Sequence, residues 1–201
     1  MIRRLHAVVF GTLVLAGGAC SQVIEFESNG LKYQTLTRGG VTVMYAHLPT
    51  HVREYAVLQV AISNGGKTPH TISPEDFLFR RSEGAPVRGS AARKVVGELV
   101  EKGNRNDVIR LVSAYEMGLY GMSRFQSTNG YEQRRQAALA EVSSTRLKAA
   151  AAASAIAFVP TRLAAGQSTD GAVFFPAAGK PLGPGRLSVR AGGLLFEFNA
   201  E

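Results

Sequence analysis

The distribution of proline divides this chain into regions of different character. All eight prolines lie at or before residue 86 or at or after residue 160. Proline removes a helical hydrogen bond and clashes with the preceding turn, so the Pro-free interval from Val87 to Val159 is the part of the chain that permits long helices. We therefore expect helices in the middle of the chain and a different structure on either side.

In the two flanks, hydrophobic residues recur at every second position, which is typical of half-buried strands. Turn signals such as Asn64-Gly65-Gly66 and Gly192-Gly193 separate these segments. The pattern predicts a mainly β fold, an antiparallel β-sandwich of about seven or eight strands formed by residues 21–89 and 158–201. The alternating residues are Ile24 and Phe26; Val41, Val43 and Tyr45; Leu58, Val60 and Ile62; Phe77 and Phe79; Val173 and Phe175; Leu187 and Val189; and Leu194, Phe196 and Phe198.

Between the flanks the hydrophobic spacing changes to that of a helix. It predicts a short helix that ends before Gly103, a second helix from Val108 to Leu119, and a third from about Tyr131 to Ala157. The alanine run in the third helix has the propensity to be helical without much packing. We thus expect a two- or three-helix insertion at residues 90–157, α+β overall, which either covers one face of the sandwich or forms a basic contact surface of its own.

Residues 1–20 have the layout of a secretory signal peptide. A basic start, Arg3-Arg4, precedes an apolar run from Leu5 to Leu15 and a tail of small residues that ends at Cys20. The apolar run is shorter than the roughly 20 residues that a membrane span needs. The sequence therefore predicts export rather than permanent membrane insertion.

Cys20 is the only cysteine of the chain. The segment before it resembles an imperfect bacterial lipobox, in which Gly17 stands where an aliphatic residue is usual. The resemblance implies that Cys20 is lipidated, that the membrane is a partner through the N-terminal lipid, and, from Ser21, that the protein is an outer-membrane lipoprotein facing the periplasm. The alternative is cleavage after Ala19, which leaves Cys20 as a free thiol.

Most of the positive charge lies in the predicted helical interval. That interval contains eleven Lys and Arg but only six Asp and Glu, in a chain of formal net charge +8. A basic surface favours an acidic protein or anionic lipid, whereas nucleic acid is not expected for an exported chain whose basic residues are scattered. The candidate partner surface consists of Arg105, Arg110, Arg124, Arg134, Arg135, Arg146 and Lys148.

Two other motifs have simpler explanations than catalysis. The segment from Asn64 to Thr68 superficially resembles a phosphate-binding loop, but Pro69 follows where a helix is required, and a glycine-rich hairpin turn is the better interpretation. His47, His51 and His70 lack the spacing of metal ligands and are expected to lie on the surface. The sequence therefore predicts no catalytic residue, no metal site and no cofactor.

A family resemblance follows from the order of these segments. The lipobox-like cysteine, the strand from Val57 to Asn64, the turn Pro74-Glu75-Asp76-Phe77 and the later segment from Gly171 to Pro176 are similar to the immunoglobulin-like sandwich domains of uncharacterised bacterial cell-envelope lipoproteins. The resemblance covers the two flanks and implies a fold and a location, but no activity.

The sequence leaves three functions open. The first is a non-enzymatic binding or scaffolding role in the bacterial cell envelope, with the basic helical insertion as the contact surface. The second is a hydrolase-like enzyme with a site between insertion and sandwich, near His70, Asp76 and Arg162. The third is binding of an anionic membrane surface by the Ala-rich helix.

Overall fold

The computed structural model describes residues 22–121, 137, 140 and 144–200. The predicted leader, Cys20 and three of the candidate arginines, Arg124, Arg134 and Arg135, lie outside these residues. The described strands are β1 (Ile24–Ser28), β2 (Leu31–Arg38), β3 (Val41–Val52), β4 (Tyr55–Asn64), β5 (His70–Ile72), β6 (Phe77–Arg81), β7 (Val87–Arg88), β8 (Thr161–Leu163), β9 (Ser168–Pro176), β10 (Gly185–Ala191) and β11 (Leu194–Ala200). The described helices are α1 (Ala92–Lys102), α2 (Arg105–Gly121) and α3 (Thr145–Ile156), with one 3₁₀ turn at Pro74–Asp76.

The strands form antiparallel sheets. The central sheet has the order β1-β2-β3-β4-β9, the outer sheet has the order β11-β10-β6-β7, and β5 pairs with β8. The prediction of a mainly β fold with antiparallel strands and helices in the middle is thus confirmed.

The fold has three layers: the outer sheet, the central sheet and the helices. One of its faces shares a hydrophobic cluster with the outer sheet, through residues such as Val60 and Phe79. Its other face shares a second cluster with all three helices, through residues such as Val57, Leu99 and Tyr115. The helices therefore cover one face of the central sheet while the outer sheet covers the other.

The prediction of half-buried strands is wrong for the middle of the central sheet. In β4, every residue from Tyr55 to Ile62 is buried, including Gln59 and Ala61 on the face that we expected to be solvated. A strand that is covered on both sides has no solvated face. The residues between the alternating hydrophobic positions of β4 therefore point into a second hydrophobic core, beneath the helices.

The number of strands also exceeds the expected seven or eight, because eleven are present in the described residues. Three of the unpredicted strands, β5, β7 and β8, are only two or three residues long, which is too short for a periodic pattern. The fourth, β2, buries Leu31 and Tyr33 under the helices but Leu36 against the outer sheet, so its pattern does not alternate.

The helices match the expected spacing, with two differences. The third helix begins at Thr145, because Ser144 is extended with φ −78° and ψ 133°, and so helix does not run unbroken from Tyr131 to Ala157. Its alanines are also packed rather than merely helical by propensity, since α3 lies against both α1 and α2. The buried alanines of α3 are Ala149, Ala150, Ala152, Ala153 and Ala155.

Candidate functional sites

The outer surface of the helical layer exposes one large apolar side chain on each helix. The exposed fractions are 42% for Val100 on α1, 51% for Ile109 on α2 and 47% for Leu147 on α3. Single exposed apolar residues are ordinary, but a group of them at one place indicates a contact surface.

The described residues of the predicted basic surface lie at the same end of the helical layer. Arg105, Arg110 and Arg146 are exposed and Lys148 is half-buried. The Arg146 guanidinium donates a hydrogen bond of 3.3 Å to the carbonyl oxygen of Glu101, which joins the first turn of α3 to the last turn of α1. We call this end of the layer, formed by residues 100–110 and 145–148, the helical corner.

The helical corner is held in place by a network at the start of α2. The Asn104 backbone N–H donates to an Asp107 carboxylate oxygen at 2.9 Å, and the Asp107 N–H donates to the Asn104 side-chain oxygen at 3.1 Å. This reciprocal cap satisfies N–H groups that a helix start otherwise leaves unpaired. Arg53, in the turn between β3 and β4 of the central sheet, donates to the Lys102 carbonyl at 2.7 Å and lies 3.6 Å from the Asp107 carboxylate. The corner is therefore fixed to the sheet beneath it.

Gly103 allows the close approach of helices at the corner. A Cβ at this position would lie 2.4 Å from the Leu99 carbonyl oxygen and 2.9 Å from the Cβ of Ala149. Any side chain at residue 103 would therefore push α3 away from the turn between α1 and α2.

A second candidate site, which the sequence did not predict, is a pocket of about 790 Å³ beside the β1–β2 hairpin. The pairing of β2 with β3 ends at Tyr33 and Ala46, and the register of β3 with β4 shifts between His47 and His51. The hairpin and β3 therefore separate, and the pocket lies where they do. Residues 181–183 contribute to its wall. We call this cavity the hairpin pocket.

Polar side chains in the wall of the hairpin pocket are bonded to one another. The Gln34 amide donates to a Glu25 carboxylate oxygen at 2.6 Å and to the Asn199 carbonyl at 2.8 Å. The Tyr45 hydroxyl donates to the Gln34 side-chain oxygen at 2.9 Å. Burial, together with the charge of Glu25, raises the pKa of Tyr45, so its hydroxyl stays protonated.

His47 also lines the hairpin pocket, and the expectation that the histidines lie on the surface is wrong for this residue. Its ring makes edge contacts with Tyr45 and Phe79, and its buried Nε2 has no hydrogen-bond partner among the described residues. Burial lowers the pKa of His47 to about 4, which keeps the imidazole neutral near pH 7.

A third polar group lies beneath the helices. The Tyr115 hydroxyl of α2 donates to a carboxylate oxygen of Asp170 at 2.5 Å, and both side chains are buried. Gln59 lies on the same face of the sheet and is fully buried, and neither atom of its amide makes a hydrogen bond to another described residue. Buried amides are almost always bonded, so Gln59 is an unusual feature of this interface.

The residues of the predicted enzyme site serve the fold. His70 and Arg162 lie on β5 and β8, where His70 pairs with Leu163 and Thr71 pairs with Arg162. The Asp76 carboxylate accepts a 2.8 Å hydrogen bond from the Ser73 backbone N–H and so caps the 3₁₀ turn.

The phosphate-loop-like segment precedes the strand β5 rather than a helix, as expected. It is not a hairpin turn, however, because β4 and β5 belong to different sheets.

Among the described residues there is no group of three or more His, Cys, Asp or Glu side chains that could hold a metal ion. No helix in that part of the chain has the length and apolar character to cross a membrane. No protein-family model, curated protein or solved structure matches the chain.

Proposed function

We propose that this chain is an exported protein of the bacterial cell envelope that binds an acidic partner protein through the helical corner, without catalysing a reaction. The observation that supports this role most strongly is the corner itself, since three apolar side chains and three arginines are exposed within residues 100–110 and 145–148. Arginine is enriched in protein interfaces, and the fully buried centre of an interface is more apolar than the rest of the surface.

The rigidity of the corner supports binding as well. Its backbone is fixed by the Asn104–Asp107 cap and by Arg53, so little conformational entropy is lost when a partner docks. An acidic partner is favoured because Arg105, Arg110 and Arg146 are all exposed at this end.

A protein partner is favoured over an anionic lipid surface by the burial of α3. An amphipathic helix that lies on a membrane inserts a continuous apolar face. The alanines of α3 are buried between the other helices and the sheet, so they are not available for such an insertion.

The anchor and the location belong to the same proposal. Cys20 carries lipid and tethers the protein to the outer membrane on its periplasmic side, after residues 1–19 have been removed. The described strands begin at Ile24, only four residues after Cys20, so the anchor holds the β1 edge of the central sheet close to the membrane. Partition into detergent tests this: the native protein should enter the detergent phase, and Cys20→Ser should not.

An elaborated immunoglobulin-like sandwich is the fold that we propose for residues 21–89 and 158–201. The two antiparallel sheets that share one hydrophobic cluster support it.

The test of the partner surface uses two matched double variants. Ile109→Ser/Arg110→Glu removes one apolar and one basic side chain from the helical corner. Leu195→Ser/Arg190→Glu removes the same chemistry from the outer sheet, where Leu195 is 45% exposed and lies directly opposite the exposed Arg190. Each variant is crosslinked in cells and recovered from envelope fractions.

We expect the corner variant to lose at least one crosslinked partner that the sheet variant keeps, and we expect that complex to weaken as salt is raised. Identical partners for both variants would contradict the proposal. Loss of binding to anionic vesicles in the corner variant, with protein partners unchanged, would instead identify the corner as a lipid-binding surface.

A further inference from the structure

The hairpin pocket offers an apolar interior that the proposed partner surface does not use. Its wall includes apolar side chains from both hairpin strands, from the part of β3 where the register shifts, from β4 and from the loop after β9, namely Phe26, Leu31, Tyr33, Leu48, Val57 and Leu182. A volume of about 790 Å³ falls within the range of 300 to 1,000 Å³ that is typical of pockets for small organic ligands.

The polar groups of the wall do not call for a charged ligand. Gln34 already donates to Glu25 and to Asn199 and accepts from Tyr45. The neutral imidazole of His47 adds no charge to the wall. An anion would be repelled by Glu25 and Glu27, and Lys32 is the one lysine among the described residues of the wall.

We propose that the hairpin pocket binds a single aliphatic chain, such as a fatty acyl chain. Such a chain is uncharged along its length, gains free energy from apolar burial, and needs no hydrogen bond from a wall whose amide is already bonded. The exposed ring of Phe26, which stacks on Tyr33 with a centroid distance of 5.1 Å, would cover one side of it.

Two sources could supply this chain. One is the lipid on Cys20, which lies five residues before Glu25 in the pocket wall and is therefore within roughly 18 Å along an extended backbone. The other is a free aliphatic molecule of the envelope. Only the first source rests on the lipid anchor proposed above, and the pocket itself does not.

The absence of tryptophan from the chain permits a direct test. Thr50→Trp places a unique fluorophore at the pocket wall, and Thr42→Trp places one on the same strand outside the pocket. Both are made in the full chain with Cys20→Ser and are titrated with 1-decanol. We expect a saturable change of emission for Thr50→Trp and none for Thr42→Trp. Adding Phe26→Asp should weaken binding by about tenfold, because it replaces apolar contact with a charge.

No saturable response at position 50, or the same response at position 42, would overturn the proposal. If Thr50→Trp does not fold, as judged by circular dichroism, Thr50→Cys labelled with a polarity-sensitive dye takes its place, since Cys20→Ser leaves no other thiol.

A last arm separates the two sources. Thr50→Trp with Cys20 retained is isolated from the envelope. Non-covalently bound lipid is first removed by extraction; if the emission still equals that of the decanol-bound state and decanol has no further effect, the Cys20 lipid occupies the pocket. If it responds as the Cys20→Ser form does, the pocket takes a free aliphatic molecule. Detergent partition of the same sample reports separately whether the anchor exists.

Discussion

The burial of Gln59 predicts both the sign and the size of the change in the free energy of unfolding when its amide is removed. Gln59 lies at the centre of β4, fully buried, with Ala46 and Ala172 beside it in the neighbouring strands. Within the part of the chain that the structure describes, neither atom of its amide has a hydrogen-bond partner. Burying an unpaired amide costs about 1–3 kcal/mol in proteins, and this cost is absent when an apolar side chain of similar size takes its place.

Gln59→Met keeps the length of the side chain and removes the amide. We expect the free energy of unfolding to rise by about 1–3 kcal/mol. The matched control is Gln34→Met, since the Gln34 amide makes two donated bonds and one accepted bond. That change leaves the Tyr45 hydroxyl without its acceptor and should lower the free energy of unfolding by about 1–2 kcal/mol.

Urea unfolding of the wild type and the two variants measures both values by linear extrapolation. The prediction depends on opposite signs for the same chemical change at two positions. If Gln59→Met lowers the free energy of unfolding as much as Gln34→Met does, then the Gln59 amide is bonded in solution and the reasoning is refuted.

Stability should also depend on the burial of His47, on two glycines and on the Tyr115 hydroxyl. Burial lowers the pKa of His47 to about 4, whereas the pKa of an unfolded histidine is about 6.5. Between these two pH values the unfolded state binds a proton at His47 and the folded state does not. The free energy of unfolding of the wild type should therefore fall by up to about 3 kcal/mol relative to that of His47→Gln as the pH falls from 6.5 to 4, and the difference should level off below pH 4. Urea titrations that show the same pH dependence for both proteins across this window would contradict the prediction. Gly171→Ala should lower the free energy of unfolding, measured in urea, by more than about 2 kcal/mol, because the new Cβ would lie 2.7 Å from the Cα of Phe158. Gly97→Ala, on the exposed side of α1, is the control: its Cβ would contact no other atom, and it should raise the free energy of unfolding by about 0.5–1 kcal/mol. Tyr115→Phe removes the hydroxyl bonded to Asp170 and should lower the free energy of unfolding by about 1–3 kcal/mol, and a change below 0.5 kcal/mol would mean that this bond contributes little.

Apart from β1, whose Ile24 and Phe26 are exposed, the strands that could be predicted from the sequence have one apolar face in the cluster between the central and outer sheets. Leu58, Val60 and Ile62 alternate because they all point into that cluster. What the pattern could not reveal is that the residues between them are also buried. Ala61 and Gln59 carry no strong hydrophobic signal, and their burial depends on helices that come later in the chain.

The two candidate sites differ in how far the sequence could predict them. Charge alone predicts Arg105, Arg110 and Arg146 as surface candidates, and all three lie in the first two turns of their helices, at one end of the layer. The hairpin pocket left no such signal, because it arises where two strands stop pairing and the register of β3 shifts. The proline in that shift, Pro49, is the one local feature that could have suggested an interruption, since proline cannot donate to a ladder.

The helical layer is part of the core of this fold, and this decides how its function must be tested. Tyr33, Met44, Val57 and Phe174 of the central sheet lie in the same cluster as Leu99, Leu111 and the alanines of α3. Removing residues 90–157 would expose that whole face to water, and the loss of a partner could then reflect unfolding rather than a missing contact surface. Ile109 and Arg110 are exposed, and their replacement leaves the cluster intact. Substitutions at the helical corner, compared with the matched pair on the outer sheet, therefore separate the binding role of the helices from their role in the core.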